Sequence, residues 1–72
     1  MIDRFITMLV RAEDERDLAF CCSFTHPDYG VRSGLWIPKS NMSGESLEVI
    51  ETAAPGDMIE IDIAKWWMDK QV

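Results

Sequence analysis

The chain has 72 residues, 47 % of them hydrophobic, and three Trp, three Phe and five Met. It is long enough for a single domain (residues 1–72) with one small core, and its aromatic content excludes a disordered polymer. A net charge of −6, from thirteen acids and seven Lys or Arg, disfavours phosphate backbones, whose binding rests on displaced counterions. It suits a basic protein partner instead.

No apolar run reaches the ~20 residues that span a bilayer, and the first twelve residues lack the apolar stretch of a signal peptide. Cys21 and Cys22 are adjacent, so on a strand they point to opposite faces and do not bridge. A reducing, cytoplasmic setting is therefore expected.

Residues 4–12 read either as a strand, with Ile6, Met8 and Val10 on one face and Phe5, Thr7, Leu9 and Arg11 on the other, or as a helix with Phe5–Leu9 and Ile6–Val10 pairs. The next segment tips the balance. Leu18, Phe20, Cys22 and Phe24 alternate with smaller residues, which is the period of a half-buried strand. Two antiparallel strands are expected, with Glu13 to Asp17 as a solvated hairpin tip.

Thr25 to Gly34 reads as a loop by its Pro, Asp and Gly content. A third strand follows at Leu35 to Ile37, ended by Pro38, which lacks a ladder donor. Ser40 to Gly44 turns the chain, and a fourth strand is expected near Leu47 to Thr52, with Leu47 and Val49 inward and Glu48 and Ile50 outward. Ala54-Pro55-Gly56-Asp57 has the residues of a tight turn. The fifth strand alternates most cleanly, with Ile59, Ile61 and Ile63 on the core face and Met58, Glu60 and Asp62 opposite. A short terminal helix closes the chain, with Asp62 as N-cap and Ile63 above Trp67 at i+4. The expected fold class is α+β: a small, mainly antiparallel β-barrel or bent sheet of about five strands with one short C-terminal helix.

Two motifs, Trp36-Ile37-Pro38-Lys39-Ser40 and Ile63-Ala64-Lys65-Trp66-Trp67-Met68, resemble a pattern in small, mostly uncharacterised bacteriophage and prophage proteins. There a W-[IL]-P-K-S strand end is followed about twenty-five residues later by an I-P-x-W-L-A helix start. The first motif matches throughout. The second departs from the pattern at Ala64, Trp67 and Met68, which stand where proline, leucine and alanine are usual. The resemblance implies a compact barrel or strongly bent sheet and a phage or mobile-element origin, with no catalytic residues to carry over.

The residues offer little for catalysis. His26, Cys21, Cys22 and Asp28 make a nucleophile–base set only by imagination, adjacent cysteines lack zinc-site spacing, and neither cofactor nor metal is expected. Trp36, Trp66 and Trp67 are first of all core material, at least two of them buried and one left partly exposed as an interface anchor.

Charge placement is more pointed. From Glu45 to Asp62 the chain carries six acids and no Lys or Arg. If the fourth and fifth strands pair, Glu48, Glu60 and Asp62 share one outward face, either as a solvated surface or as a competitor for phosphates on a basic nucleic-acid-binding site.

The leading functional expectation is a non-enzymatic protein that binds and inhibits a host nucleic-acid-handling or defence protein, an anti-CRISPR role being its most concrete form. Glu48, Asp57, Glu60 and Asp62 would steer the encounter and Trp66 or Trp67 anchor it. A second expectation is a single-stranded nucleic-acid module using Arg11, Tyr29, Arg32, Trp36 and Lys39. A third is a self-associating protein closed as a homodimer.

Overall fold

The structure is a computed structural model that describes residues 4–71. Its elements are β1 (Phe5–Glu15), β2 (Ala19–His26), β3 (Gly30–Pro38), a 3₁₀ turn (Lys39–Asn41), α1 (Gly44–Thr52), β4 (Met58–Ala64) and α2 (Lys65–Asp69). The strands form one open antiparallel sheet in the order β3-β2-β1-β4. It is not a closed barrel, and the described residues form four strands rather than five. No helix among them is long and apolar enough to cross a membrane.

β1 is an interior strand between β2 and β4, and its alternation runs from Ile6 to Ala12 before a bulge at Glu13. Ile6, Met8 and Val10 lie opposite Ile63, Ile61 and Ile59 of β4, and Ala12 lies opposite Cys22 of β2. With Phe20, Phe24, Ile37, Ile50, Met42 and Met68 these residues build a single core on one side of the sheet. The strand reading of residues 4–12 therefore holds.

The largest departure from the sequence reading is the segment 44–52, which is helical. Leu47 and Val49 alternate with Glu48 and Ile50 over too short a run to separate a strand from a helix. The helical register puts Ser46, Leu47 and Ile50 on one face, with Ser46 and Ile50 buried and Val49 exposed. Ser43 caps this helix by accepting from Ser46 N. The same segment covers the outer edge of β4: Ser43 N donates to Asp62 O, and Asp62 N donates to Ser46 Oγ at 2.7 Å. That edge is met by a single antiparallel bridge from Met42 to Ile63 and by Ser43 and Ser46 at Asp62, so no fifth strand forms among the described residues and the sheet stays open.

Smaller corrections have equally local causes. Of the expected loop at Thr25 to Gly34, only Pro27 to Tyr29 turns, because Thr25 and Phe24 pair with Val31 and Arg32. Gly30 (φ 77°) closes that hairpin, and Gly34 (φ 68°) sits at an irregularity of the β2–β3 ladder. β1 runs on to Glu15, so the hairpin tip is shorter than expected, and Leu18 lies in it, 82 % exposed instead of inward. Lys39 N donates to Leu18 O, which leaves Pro38 at a ladder position needing no donor.

At the C-terminus Ala64, not Asp62, is the N-cap of α2, and it offers no side-chain bond. Asp62 stays in β4, where its carboxylate takes hydrogen bonds from Thr7 Oγ1 and Ser43 Oγ. Ile63 also remains in the strand rather than opening the helix. α2 docks through buried Met68, and it and the residues after it are tied to the β2–β3 hairpin: Tyr29 Oη donates to Asp69 at 2.7 Å, and Arg32 donates to Gln71 O at 2.8 Å.

Candidate functional site

Helix α1 positions the acidic block. Glu45, Glu48 and Glu51 fall at i, i+3 and i+6, all exposed, so their Cα atoms climb one side of the helix in steps of about 5 Å. No basic residue answers them on the helix, and none lies in its last turn. Like charges at this spacing cost a helix a few tenths of a kcal/mol per pair, and an acid near the C-terminus opposes the helix dipole. Glu45, in the first turn, suits the dipole, so the cost lies in the repulsion along the row and in Glu51 near the C-terminal end.

The expected common face of Glu48, Glu60 and Asp62 does not form. Ile50 of α1 packs in the core beneath the sheet, so Glu48 belongs to the helical layer while Glu60 and Asp62 lie on the opposite side of β4. Asp62 is half-buried and engaged by Thr7 and Ser43. Asp57 follows α1 in the connecting turn, its carboxylate accepting from Ala54 N at 2.9 Å. Glu45 and Glu51 belong to the acidic block but lie outside the expected site; the i, i+3, i+6 spacing of a helix is what sets them beside Glu48.

The tryptophans divide differently from expectation. Only Trp67 packs against the core, whereas Trp66 is 57 % and Trp36 40 % exposed. The reason is geometric: a five-residue helix turns one of two adjacent side chains inward, and Trp36 stands on the outer face of an edge strand. Each exposed indole carries a cation, Lys70 over Trp66 and Arg16 over Trp36, both 5.3 Å from the ring.

The residues considered for nucleic acid are dispersed. Lys39 pairs with Glu15 at 2.6 Å, Arg32 bonds Gln71 O, and Tyr29 donates to Asp69. Arg11 and Trp36 alone share the outer sheet face.

The Cys–His set is not assembled. His26 Nδ1 accepts from Asp28 N at 3.0 Å in the hairpin turn, while Cys22 lies four residues along β2, about 13 Å away. Burial, then the neighbouring Cys21 and Glu13, push the Cys22 thiol up to about 12. Burial raises Cys21 too, aided by Glu13 and Asp14. Both thiols therefore stay protonated and poorly nucleophilic. Among the described residues, no group of three His, Cys, Asp or Glu is arranged to hold a metal ion.

Compared with protein-family profiles, with curated proteins and with solved structures, the chain matches none.

Proposed function

We propose that this chain is a non-enzymatic protein of phage or mobile-element kind that binds and inhibits a host nucleic-acid-handling or defence protein, and that it acts through the acidic side of α1. The observation that carries this reading is the uncompensated row Glu45, Glu48, Glu51. A helix that keeps three aligned carboxylates at some cost to itself is presenting them to something outside, and a basic groove built for phosphates is the complementary surface. Asp57, in the turn after α1, extends the acidic stretch, whereas exposed Trp66 stands on α2 among Arg4, Lys65 and Lys70. Glu60 is on the far side of the sheet and Asp62 is held internally, so neither belongs to this reading. The phage-like strand and helix motifs support the setting, with an anti-CRISPR role as its most concrete form. A single-stranded nucleic-acid module draws less support, because Lys39 and Arg32 are already engaged within the chain.

The test is affinity capture from bacterial lysate with and without nuclease treatment, comparing the chain with a Glu45→Gln/Glu48→Gln/Glu51→Gln variant that relieves repulsion in α1 and so folds. Expected is salt-sensitive capture of a nucleic-acid enzyme or defence complex by the chain and its loss with the variant. Equal capture by both sinks the acidic-row mechanism. Capture that disappears with nuclease points to a nucleic-acid binder instead.

A further inference from the structure

An antiparallel sheet with one solvated face alternates apolar inside with polar outside. This sheet breaks that rule. Of the eight exposed large hydrophobic residues among the described residues, five lie on the outer face, away from the helices: Phe5, Leu9, Val31, Trp36 and Met58. No element of the described chain covers them, and Leu9, Met58 and Val31 line a shallow groove there together with Arg11.

The polar residues of this face are partly satisfied by one another. Thr7 donates to Asp62, and Ser23 donates to Glu13 at 2.9 Å while accepting from Gly34 N. Glu13 and Asp62 thus have neutral hydrogen-bond partners, whereas Arg11 on β1 and Glu60 on β4 have neither an ion-pair nor a side-chain hydrogen-bond partner among the described residues.

Their arrangement matters. Leu9 lies opposite Glu60 and Arg11 opposite Met58, so the four side chains mark the corners of a rectangle about 7 Å along the strands and 5 Å across them. One diagonal, Leu9–Met58, is apolar. The other, Arg11–Glu60, carries one positive and one negative charge.

We infer that the outer sheet face is the interface of a face-to-face homodimer, with its two-fold axis along the Leu9–Met58 diagonal. Rotation about that axis stacks Leu9 on Leu9 and Met58 on Met58. It brings Arg11 of each copy to within side-chain reach of Glu60 of the other, making two equivalent ion pairs, as an isologous contact requires. The sheets then cross at roughly 70°, near the orthogonal class of sheet packing. Arginine among apolar side chains is also the composition of interface centres.

This inference goes beyond the proposed function and is independent of it. The acidic rows of α1 face outward on opposite sides of such a dimer.

Sedimentation or light scattering of the full chain over a concentration series tests it, with Arg11→Glu and Glu60→Arg as variants. Wild type is expected to double its mass. Each variant, having both of its pairs turned into like charges, is expected to dimerise at least about thirtyfold more weakly. An equimolar mixture of the two variants restores both pairs across a heterodimer, so association should return on mixing. Circular dichroism of each variant checks that the sheet is intact. The inference is overturned if folded wild type stays monomeric to about 1 mM, as it would were the face reserved for a different protein. It is also overturned if the single variants dimerise as well as wild type, or if mixing them restores nothing.

Discussion

Replacing Ser46 with alanine tests how α1, and with it the acidic row, is held to the sheet. Ser46 is the buried polar residue of the described chain, 3 % exposed. Its Oγ accepts from Asp62 N at 2.7 Å and shares a hydrogen bond of 2.8 Å with Ser43 Oγ. The substitution leaves the Asp62 N–H without its acceptor in a half-buried place, which costs about 1–3 kcal/mol. Alanine's better helix propensity returns about 0.5 kcal/mol, and Ser43 keeps its cap on Ser46 N and its bond to Asp62 Oδ2. The net expectation is a loss of about 1–2 kcal/mol. In a domain whose single core supplies about 3–5 kcal/mol, that is a large share, and it lowers Tm by about 4–16 °C. Urea denaturation followed by tryptophan fluorescence measures it, with the m-value unchanged. Ser40→Ala, at an exposed position of the 3₁₀ turn, is the control and should stay within about 0.5 kcal/mol. A Ser46→Ala loss no larger than the control's would refute the claim that this hydroxyl anchors the helix to β4.

Three further outcomes follow from the same structure. Trp67→Ala should cost about 3 kcal/mol and bring the domain close to unfolding, whereas Trp66→Ala should stay within about 0.5 kcal/mol; thermal melts separate the two, and equal effects would contradict their different burial. Asp69 is held below the usual carboxylate range, chiefly by Lys65 and then by Tyr29, and Tyr29 is raised, chiefly by the Tyr29–Asp69 bond. Its contribution should be fully present between about pH 4 and pH 10. It should fade as pH falls through the lowered Asp69 value or rises through the elevated Tyr29 value, so the difference in urea midpoint between wild type and Tyr29→Phe should be flat between those limits and shrink outside them. Finally, alkylation of Cys22 at neutral pH should be slow and rise in step with the unfolded fraction as urea is added; fast labelling of the folded chain would show that the thiol is neither buried nor protonated.

Much of the sheet was legible in the chain because its signal is local. Ile59, Ile61 and Ile63 alternate, as do Ile6, Met8 and Val10, and a side-chain period of two says which residues face the core before any partner strand is known. The opposite orientations of Cys21 and Cys22, and the place of Pro38 at a strand end, follow from the same local geometry. The candidate site was less legible. The count of acids between Glu45 and Asp62 is a property of the sequence, but their division between a helix and the far side of β4 is not.

What the sequence determined by itself was therefore periodicity, composition and charge: a small α+β fold with a β-rich core and an acidic stretch free of Lys and Arg. Tertiary structure alone decided three things. It made residues 44–52 a helix, since a nine-residue segment with an ambiguous pattern takes the form that can bury Ile50 against β4 and return the edge hydrogen bonds of Asp62. It kept the sheet open, because those bonds occupy the edge that a closing strand would need. It also left Phe5, Leu9, Val31, Trp36 and Met58 together on an uncovered face, for which face of a sheet receives the helices depends on long-range packing and not on the alternation within any one strand.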